Sequence, residues 1–340
     1  MLRPFRGSRR ALASFAALVG AAILLSACTS GAPKWDARTL EQTVASAPFQ
    51  PIIVNSNLGV GANRFALALF DRNQEFVNVA DITATFYRLD KEPQGEPTNP
   101  QRASEAALLA RTLKGVGASR FDSALVSREP RGATTAAAVA HIGHDSTVFA
   151  SVVEFDRAGF WGVSLEVKTG ETTYRGLRLV FAVQDRTLEP RVGDAAPGTK
   201  QLTVADVKDL TEIDTSQAPN ADLHRLTIAA AVASGKPSVV AFVTPAFCQT
   251  RFCGPALDQV VLPAWSEFKD RVNVLHVEPY DVGKAKGGTL ELVPAMQEWK
   301  LLAEPMIFVV GSDGIVAAKF EGIMDYAELR DAILATLTPR

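Results

Sequence analysis

Three cysteines occur in 340 residues, and two of them fall in Thr244-Pro245-Ala246-Phe247-Cys248-Gln249-Thr250-Arg251-Phe252-Cys253-Gly254-Pro255. A close pair of thiols can exchange electrons, staple a loop or hold a soft metal. Exchange asks most of its surroundings, because the thiolate is the nucleophile and a cysteine with a pKa near 8.5 is mostly protonated at pH 7. A helix N-terminus would place about half a positive charge near the sulfur, and Arg251 would add a full one. Positions i and i+5 of one α-helix lie about 7.5 Å apart along its axis and on different sides, beyond the ~7 Å Cα separation that a disulfide spans. Cys248 and Cys253 can therefore pair only if the chain between them is not continuous helix. Proline is favoured at the first helical position and costs about 3 kcal/mol inside a helix. The sequence thus predicts a helix starting at Pro255, with both cysteines in the preceding loop. A permanent bridge is the plainer alternative, but so short a closed loop gains little loop-closure entropy.

The elements around the pair alternate. Residues 223–234 read as helix, stopped by Gly235-Lys236-Pro237, and 238–244 as a short apolar strand. Residues 256–269 read as helix, with a kink at Pro263. Strand is expected at 272–277, helix at 292–301, and two strands at 306–310 and 315–320 joined by the turn Gly311-Ser312-Asp313-Gly314. An amphipathic helix at 326–337 ends the series.

A buried strand running into two cysteines and a helix, followed by Glu304-Pro305 ahead of Met306-Ile307-Phe308-Val309-Val310, resembles the thioredoxin superfamily, especially its exported thiol–disulfide branch. The resemblance covers residues 221–340. It implies an α/β thioredoxin-like domain in which Cys248 and Cys253 are catalytic, Pro305 is a cis-proline facing them, and Arg251 and Glu304 lie on the substrate side. The chain departs from the family in two ways. Its cysteines are four residues apart rather than two, and Phe242 stands six residues before Cys248, where thioredoxin places a buried acid. Glu278, His276 and Glu304 remain as candidate proton acceptors. Alignment to the strand favours Cys248 as the attacking thiol, whereas proximity to the helix favours Cys253.

The N-terminal part reads differently. Four arginines and no acid lie in the first ten residues, and an uncharged apolar run follows. That is the pattern of an export signal, and it is short for a membrane span, which needs about 20 residues. The sequence Leu25-Ser26-Ala27-Cys28 resembles the bacterial lipobox, which implies cleavage after residue 27 and a lipid on Cys28. Ser8-Arg9-Arg10 is a weaker likeness to a twin-arginine signal. Residues 28–48 are small and polar, a tether. Export would leave Cys248 and Cys253 as the thiols of a compartment where disulfides persist.

From 49 to 187 the pattern has period two. Trp161, Val163, Leu165 and Val167 alternate with small or polar residues, and so do Ile82, Ala84 and Phe86, and Leu177, Leu179, Phe181 and Val183. Each reads as a half-buried strand, and Trp161 as core. Runs at 51–55, 65–70 and 148–155 add more, giving an all-β sandwich. The turn Phe155-Asp156-Arg157-Ala158-Gly159-Phe160-Trp161 resembles immunoglobulin-like domains of exported bacterial proteins. Within a polar insertion, residues 102–114 read as a short helix lying on the sandwich. Residues 188–220, rich in Pro, Asp, Thr and Gly, read as an exposed linker. Few contacts should then cross it, and 221–340 should fold alone.

The expected architecture is thus two domains, an immunoglobulin-like sandwich followed by a thioredoxin-like domain. The expected activity is thiol–disulfide exchange with exported protein thiols or disulfides, on a membrane reached through the lipid anchor. No cofactor and no metal is expected. A formal charge of −2 leaves no basic excess for nucleic acid. Three other readings compete: a binding module with a structural disulfide, an atypical peroxiredoxin, and a copper-handling protein using the thiolates with His276. The peroxiredoxin pattern wants a threonine where Pro245 stands. His141-Ile142-Gly143-His144 reads as a solvated polar turn.

Overall fold

Long alternating runs in the first half make antiparallel strands. β1 (Phe49–Ile53), β2 (Gly61–Asp71), β3 (Asp81–Arg88), β4 (Gln101–Leu113), β5 (Ser146–Phe155), β6 (Gly159–Thr169) and β7 (Thr172–Val183) form one sheet in the order β1-β2-β5-β4-β3-β6-β7. The chain is described here from a computed structural model, at residues 35, 47–93, 98–115, 145–248 and 252–338. β4 is the joint of the sheet. Its first part pairs with β3, and residues 109–113 pair with β5. Backbone hydrogen bonds between Gln184 and both Leu58 and Val60 bring the far end of β7 back toward β2. The enclosed core includes Phe65, Phe86, Phe149, Phe155 and Trp161. Trp161 is fully buried, and its Nε1 donates to Arg157 O at 3.0 Å.

The helix expected at 102–114 is instead β4. Its apolar and polar residues fit a strand paired on both edges, and tertiary pairing outweighs the helix preference of Ala106, Ala107, Leu108, Leu109 and Ala110.

The second sheet has four strands in the order β11-β10-β8-β9, built from β8 (Ser238–Phe242), β9 (Asn273–Val277), β10 (Met306–Val310) and β11 (Val316–Glu321). β8 and β9 are parallel, and β10 runs antiparallel to both β8 and β11. β8 and β10 are buried at every position, as strands covered on both faces are. Val239, Ala241 and Val243 face one core, while Val240 and Phe242 face the other.

Short helices Ile228–Ala233, Val282–Lys286 and Pro294–Glu298 surround this sheet, and the helix Tyr326–Leu337 closes it. The longest helical run comprises Cys253–Ala256, a π-helical turn Leu257–Val261, and Leu262–Phe268. The wide turn lies directly before Pro263, which has no N–H to give the α-helical ladder. The run starts two residues earlier than expected. Pro255 sits in its first turn, where no residue needs an intrahelical N–H partner.

The two sheets share a core. β2 sends Phe65, Leu67 and Leu69 inward, while Ala66 and Ala68 on its other face join Leu113, Val148 and Ala150 against Val260, Val261, Phe268 and Ile333. Arg64 donates to Glu328 at 2.7 and 2.9 Å and to Ile323 O at 2.9 Å. Lys114 N–H donates to Gln259, whose amide donates back to Lys114 O, both at 2.9 Å. All described residues belong to one compact unit, Trp35–Arg340.

The segment read as an exposed linker, 188–220, is packed instead. Glu189 is buried, bound to Lys319 of β11 at 2.5 Å and to Asn57 at 2.9 Å. Thr199 is buried between Glu298 and Trp299. The segment lacks periodicity because it crosses the sheet as a strap whose polar groups find specific partners, rather than as a repeating element. Residues 221–340 therefore pack on this segment and on the first sheet within one unit.

Candidate active site

Three chain segments meet at one end of the four-stranded sheet. Phe242, the last residue of β8, is in register with Val277 of β9 and with Met306 of β10. The residues just beyond these ends are therefore neighbours: Val243 and Thr244 leaving β8, Glu278 leaving β9, and Pro305 leading into β10. The Glu304–Pro305 peptide is cis, as the resemblance implies.

Cys248 lies in the loop after β8, and Cys253 is the first residue of the helical run. Their Sγ atoms are 2.7 Å apart, and both cysteines are free thiols. The Cys253 backbone N–H donates to Cys248 Sγ at 3.3 Å. The loop sulfur thus occupies the N-terminus of the helix, although its own residue is not helical. This arrangement answers the geometric objection to the spacing, because only one member of the pair is in the helix.

The two sulfurs differ. Cys248 keeps 8% of its surface exposed and Cys253 keeps none. Burial pushes the Cys253 thiol well above its ordinary range, and the hydrogen bond to Cys248, the Cys248 charge and the Glu304 charge push the same way. Cys253 is thus held protonated, and the donor it gives to Cys248 Sγ is its backbone N–H, which favours charge on that sulfur.

Phe242 occupies the position where the resemblance implies an acid. It is fully buried, with its ring centroid 5.3 Å from Trp299 and 6.2 Å from Phe308. The neighbouring strand supplies the carboxylate instead. Glu278 Oε1 accepts from Thr215 N–H at 2.7 Å and from Thr215 Oγ1 at 2.6 Å, and Thr215 Oγ1 accepts from Ala246 N–H at 3.1 Å. Burial raises the pKa of Glu278, which His276 and Thr215 offset only in part. A carboxyl whose pKa is raised holds a proton more readily than an exposed one. Glu304 is buried too, so its side chain acts on the charge of Cys253 and is not displayed on the surface.

Behind the loop, Asp214, His224 and His276 are all buried, with one donor atom from each lying within 4.8 Å of the others. Neither cysteine belongs to this group, so the structure does not gather His276 with the thiolates as the copper reading requires. Burial opposes ionisation of Asp214, but its contacts with His224, His276 and Ser216 outweigh it and hold its pKa far below the usual carboxylate range. Burial lowers the pKa of His224, and Asp214 offsets this only partly. Burial works against charge on His276 as well, yet Asp214 and Glu278 raise its pKa overall.

The sequence reading singled out Glu278 and His276 but missed Asp214, Thr215 and His224. They sit in or beside the supposed linker, where only residue type hinted at them: His224 is one of four histidines in the chain. Cys28, Arg251, His141 and His144 lie outside the described residues.

No protein-family model and no curated protein matches this chain. Among solved structures, the chain is similar to the crystal structure of a thiol:disulfide interchange protein, a thioredoxin family protein, from Chlorobium tepidum TLS. The identity is 13% and the TM-score 0.27, over 45% of this chain and 99% of that one.

Proposed function

We propose that the protein is a thiol–disulfide oxidoreductase acting through Cys248 and Cys253 in a thioredoxin-like arrangement. One observation carries the reading. Cys248 Sγ sits at the start of the helical run, 3.3 Å from the Cys253 N–H and 2.7 Å from the Cys253 sulfur. Helix N-terminal N–H groups favour a thiolate, and a second thiol in contact can resolve what the first one forms.

The Cys248 thiolate attacks a disulfide of the partner, forming a mixed disulfide and releasing one partner thiolate. Cys253 then loses its proton and attacks Cys248, releasing the second partner thiolate. The partner gains two electrons and leaves as two thiolates, which take protons from solvent, and the chain is left with a Cys248–Cys253 disulfide and one released proton. Run in reverse, the same steps oxidise a dithiol. Glu304, whose charge acts on Cys253, and Glu278, joined through Thr215 to the Ala246 N–H of the cysteine loop, are the carboxyls proposed to take the proton.

The setting belongs to the same proposal. The export signal over residues 1–27 and lipidation of Cys28 would hold the protein outside the cytoplasm on a bacterial membrane, where its partners are exported proteins. Among the described residues, no helix is long and apolar enough to cross a membrane.

Trapping tests the reading. Cys253→Ala should accumulate a mixed disulfide with a partner through Cys248, and Cys248→Ala should accumulate much less. The reduction potential of the pair should lie above about −300 mV, the level below which structural disulfides of secreted proteins usually fall. A lower potential with no trapped species in either variant would overturn the oxidoreductase reading. Trapping by Cys248→Ala alone would transfer the attacking role to Cys253.

A further inference from the structure

The buried cluster behind the cysteine loop holds one feature that thiol chemistry does not use. His276 is 1% exposed, and its two ring nitrogens differ. Nε2 lies 3.0 Å from Val243 O. A carbonyl only accepts, so Nε2 carries a hydrogen. Among the described residues Nδ1 then has no hydrogen-bond partner, and it lies 3.7 Å from Asp214 Oδ2. His224 Nε2 is hydrogen-bonded to the same oxygen at 3.2 Å, a bond that an ion would replace.

Asp214 and Glu278 favour a charged His276, yet its ring does not close on Asp214 as a charged donor would. A charged N–H on a carboxylate closes to about 2.7–2.9 Å, and 3.7 Å makes no hydrogen bond. The separations come close to a different geometry. Ligands at 2.0–2.2 Å from a tetrahedral zinc stand about 3.3–3.6 Å from one another; the carboxylate oxygen lies 3.2 and 3.7 Å from the two imidazoles, and all three donor atoms lie within 4.8 Å of one another.

We propose that Asp214, His224 and His276 form a binding site for a divalent first-row transition metal of the zinc class, separate from the cysteine pair. Two imidazoles and a carboxylate are a donor set that suits such an ion. The surroundings are those that ligands usually have. His276 is oriented by donating its remote N–H to Val243 O, as metal-bound histidines commonly do to a backbone carbonyl. Asp214 Oδ1 is fixed by Ser216 N–H at 2.9 Å, and Oδ2 accepts Asn220 N–H at 3.1 Å, leaving its second lone pair toward the imidazoles. The ion would fasten segment 214–224 to β9. Thr215, next to Asp214, already holds Ala246 of the cysteine loop at 3.1 Å, so metal binding would stiffen the loop without touching a sulfur.

Zinc binding to the full chain, without a polyhistidine tag and after chelator treatment, tests the site. A variant with Cys28, Cys248 and Cys253 all changed to serine should still bind one zinc ion per chain and unfold at a higher temperature with zinc present. Zinc-edge X-ray absorption on that variant should show nitrogen and oxygen ligands, with two imidazoles. His276→Gln should weaken binding by roughly 100-fold or more, beyond the ~10–100-fold usual for residues outside the ligand set. The double change His141→Gln and His144→Gln should leave binding intact. If the cysteine-free chain binds no zinc, or if binding survives His276→Gln or disappears with the His141/His144 pair, the site is not the one described. Should His276→Gln not fold, the absorption spectrum and stoichiometry of the folded cysteine-free chain decide the matter together with the His141/His144 variant.

Discussion

The two sheets use their alternating residues in opposite ways. In the seven-stranded sheet, β2 and β5 serve two cores: Phe65, Leu67, Leu69, Phe149 and Phe155 fill the inner one, while Ala66, Ala68, Val148 and Ala150 line the other face, where helices approach. In the four-stranded sheet, β8 and β10 are apolar at nearly every position and buried throughout. The first pattern makes a support with two different faces. The second frees the strand ends, and those ends carry the residues around the thiols: Thr244 to Cys248 after β8, Glu278 after β9, and Glu304-Pro305 before β10. The small residues on β2 and β5 have a consequence for the second sheet. They let the helical run that starts at Cys253 lie close on the first sheet, so one half of the molecule sets the position of the helix on which the cysteine chemistry of the other depends.

Separating the halves should therefore have the largest effect. A fragment of residues 221–340 loses the cover over Val260, Val261 and Phe268, and it also loses Asp214 and Thr215. It should show no cooperative urea transition and no fixed near-ultraviolet circular dichroism, while the whole chain shows both. A cooperative transition in the fragment would mean that the shared core adds nothing essential and that the halves are independent.

This dependence is also where the sequence was least legible. Period-two runs announced the strands β2, β3, β5, β6 and β7, and the apolar runs β8 and β10, because burial on one face or on both writes itself directly into residue type. The cysteine pair and Glu304-Pro305 were readable as types in order along the chain. The strand β4 was misread because Ala and Leu suit a helix as well, and only pairing with β3 and β5 decides between them. Ala66 and Ala68 gave no sign of a second core, since alanine is equally common on open faces. Asp214, Thr215 and His224 were hidden for another reason. Their partners, His276 and Glu278, lie over fifty residues away in sequence, so no local spacing records the cluster.

A single ion pair should sharpen the comparison further. Arg64 of β2 meets Glu328 of the closing helix in a nearly buried pair, and Arg111 of β4 stands 3.8 Å from the same carboxylate. Breaking a buried pair from one side typically costs 3–5 kcal/mol. Arg111 remains to shield Glu328, so Arg64→Ala should lower stability by about 3 kcal/mol, the bottom of that range. Arg64→Ala with Glu328→Ala should cost less than the sum of the single changes. Additive costs in urea denaturation would show that the pair does not couple the sheets.

The smallest expected effect concerns the same closing helix, held this time from within its own half. Tyr326 donates to Glu267, which also pairs with Arg330 at 2.9 Å. Burial and the hydrogen bond to the Glu267 carboxylate push the Tyr326 phenol up to about 12. Only the protonated phenol can donate, so its contribution is complete below the ordinary tyrosine pKa of about 10 and fades as the pH rises from there toward 12. Tyr326→Phe should lower stability at neutral pH by only about 0.5–1.5 kcal/mol, well under the effect of Arg64→Ala, because the contact lies near solvent. At pH 11, with circular dichroism confirming that both proteins are folded, wild type and Tyr326→Phe should show nearly equal phenolate absorbance, since Tyr326 is still mostly protonated there. An excess of about one phenolate in the wild type would mean that Tyr326 titrates as an ordinary tyrosine. The first turn of the helix would then be held chiefly from the seven-stranded sheet, by Arg64 and Arg111.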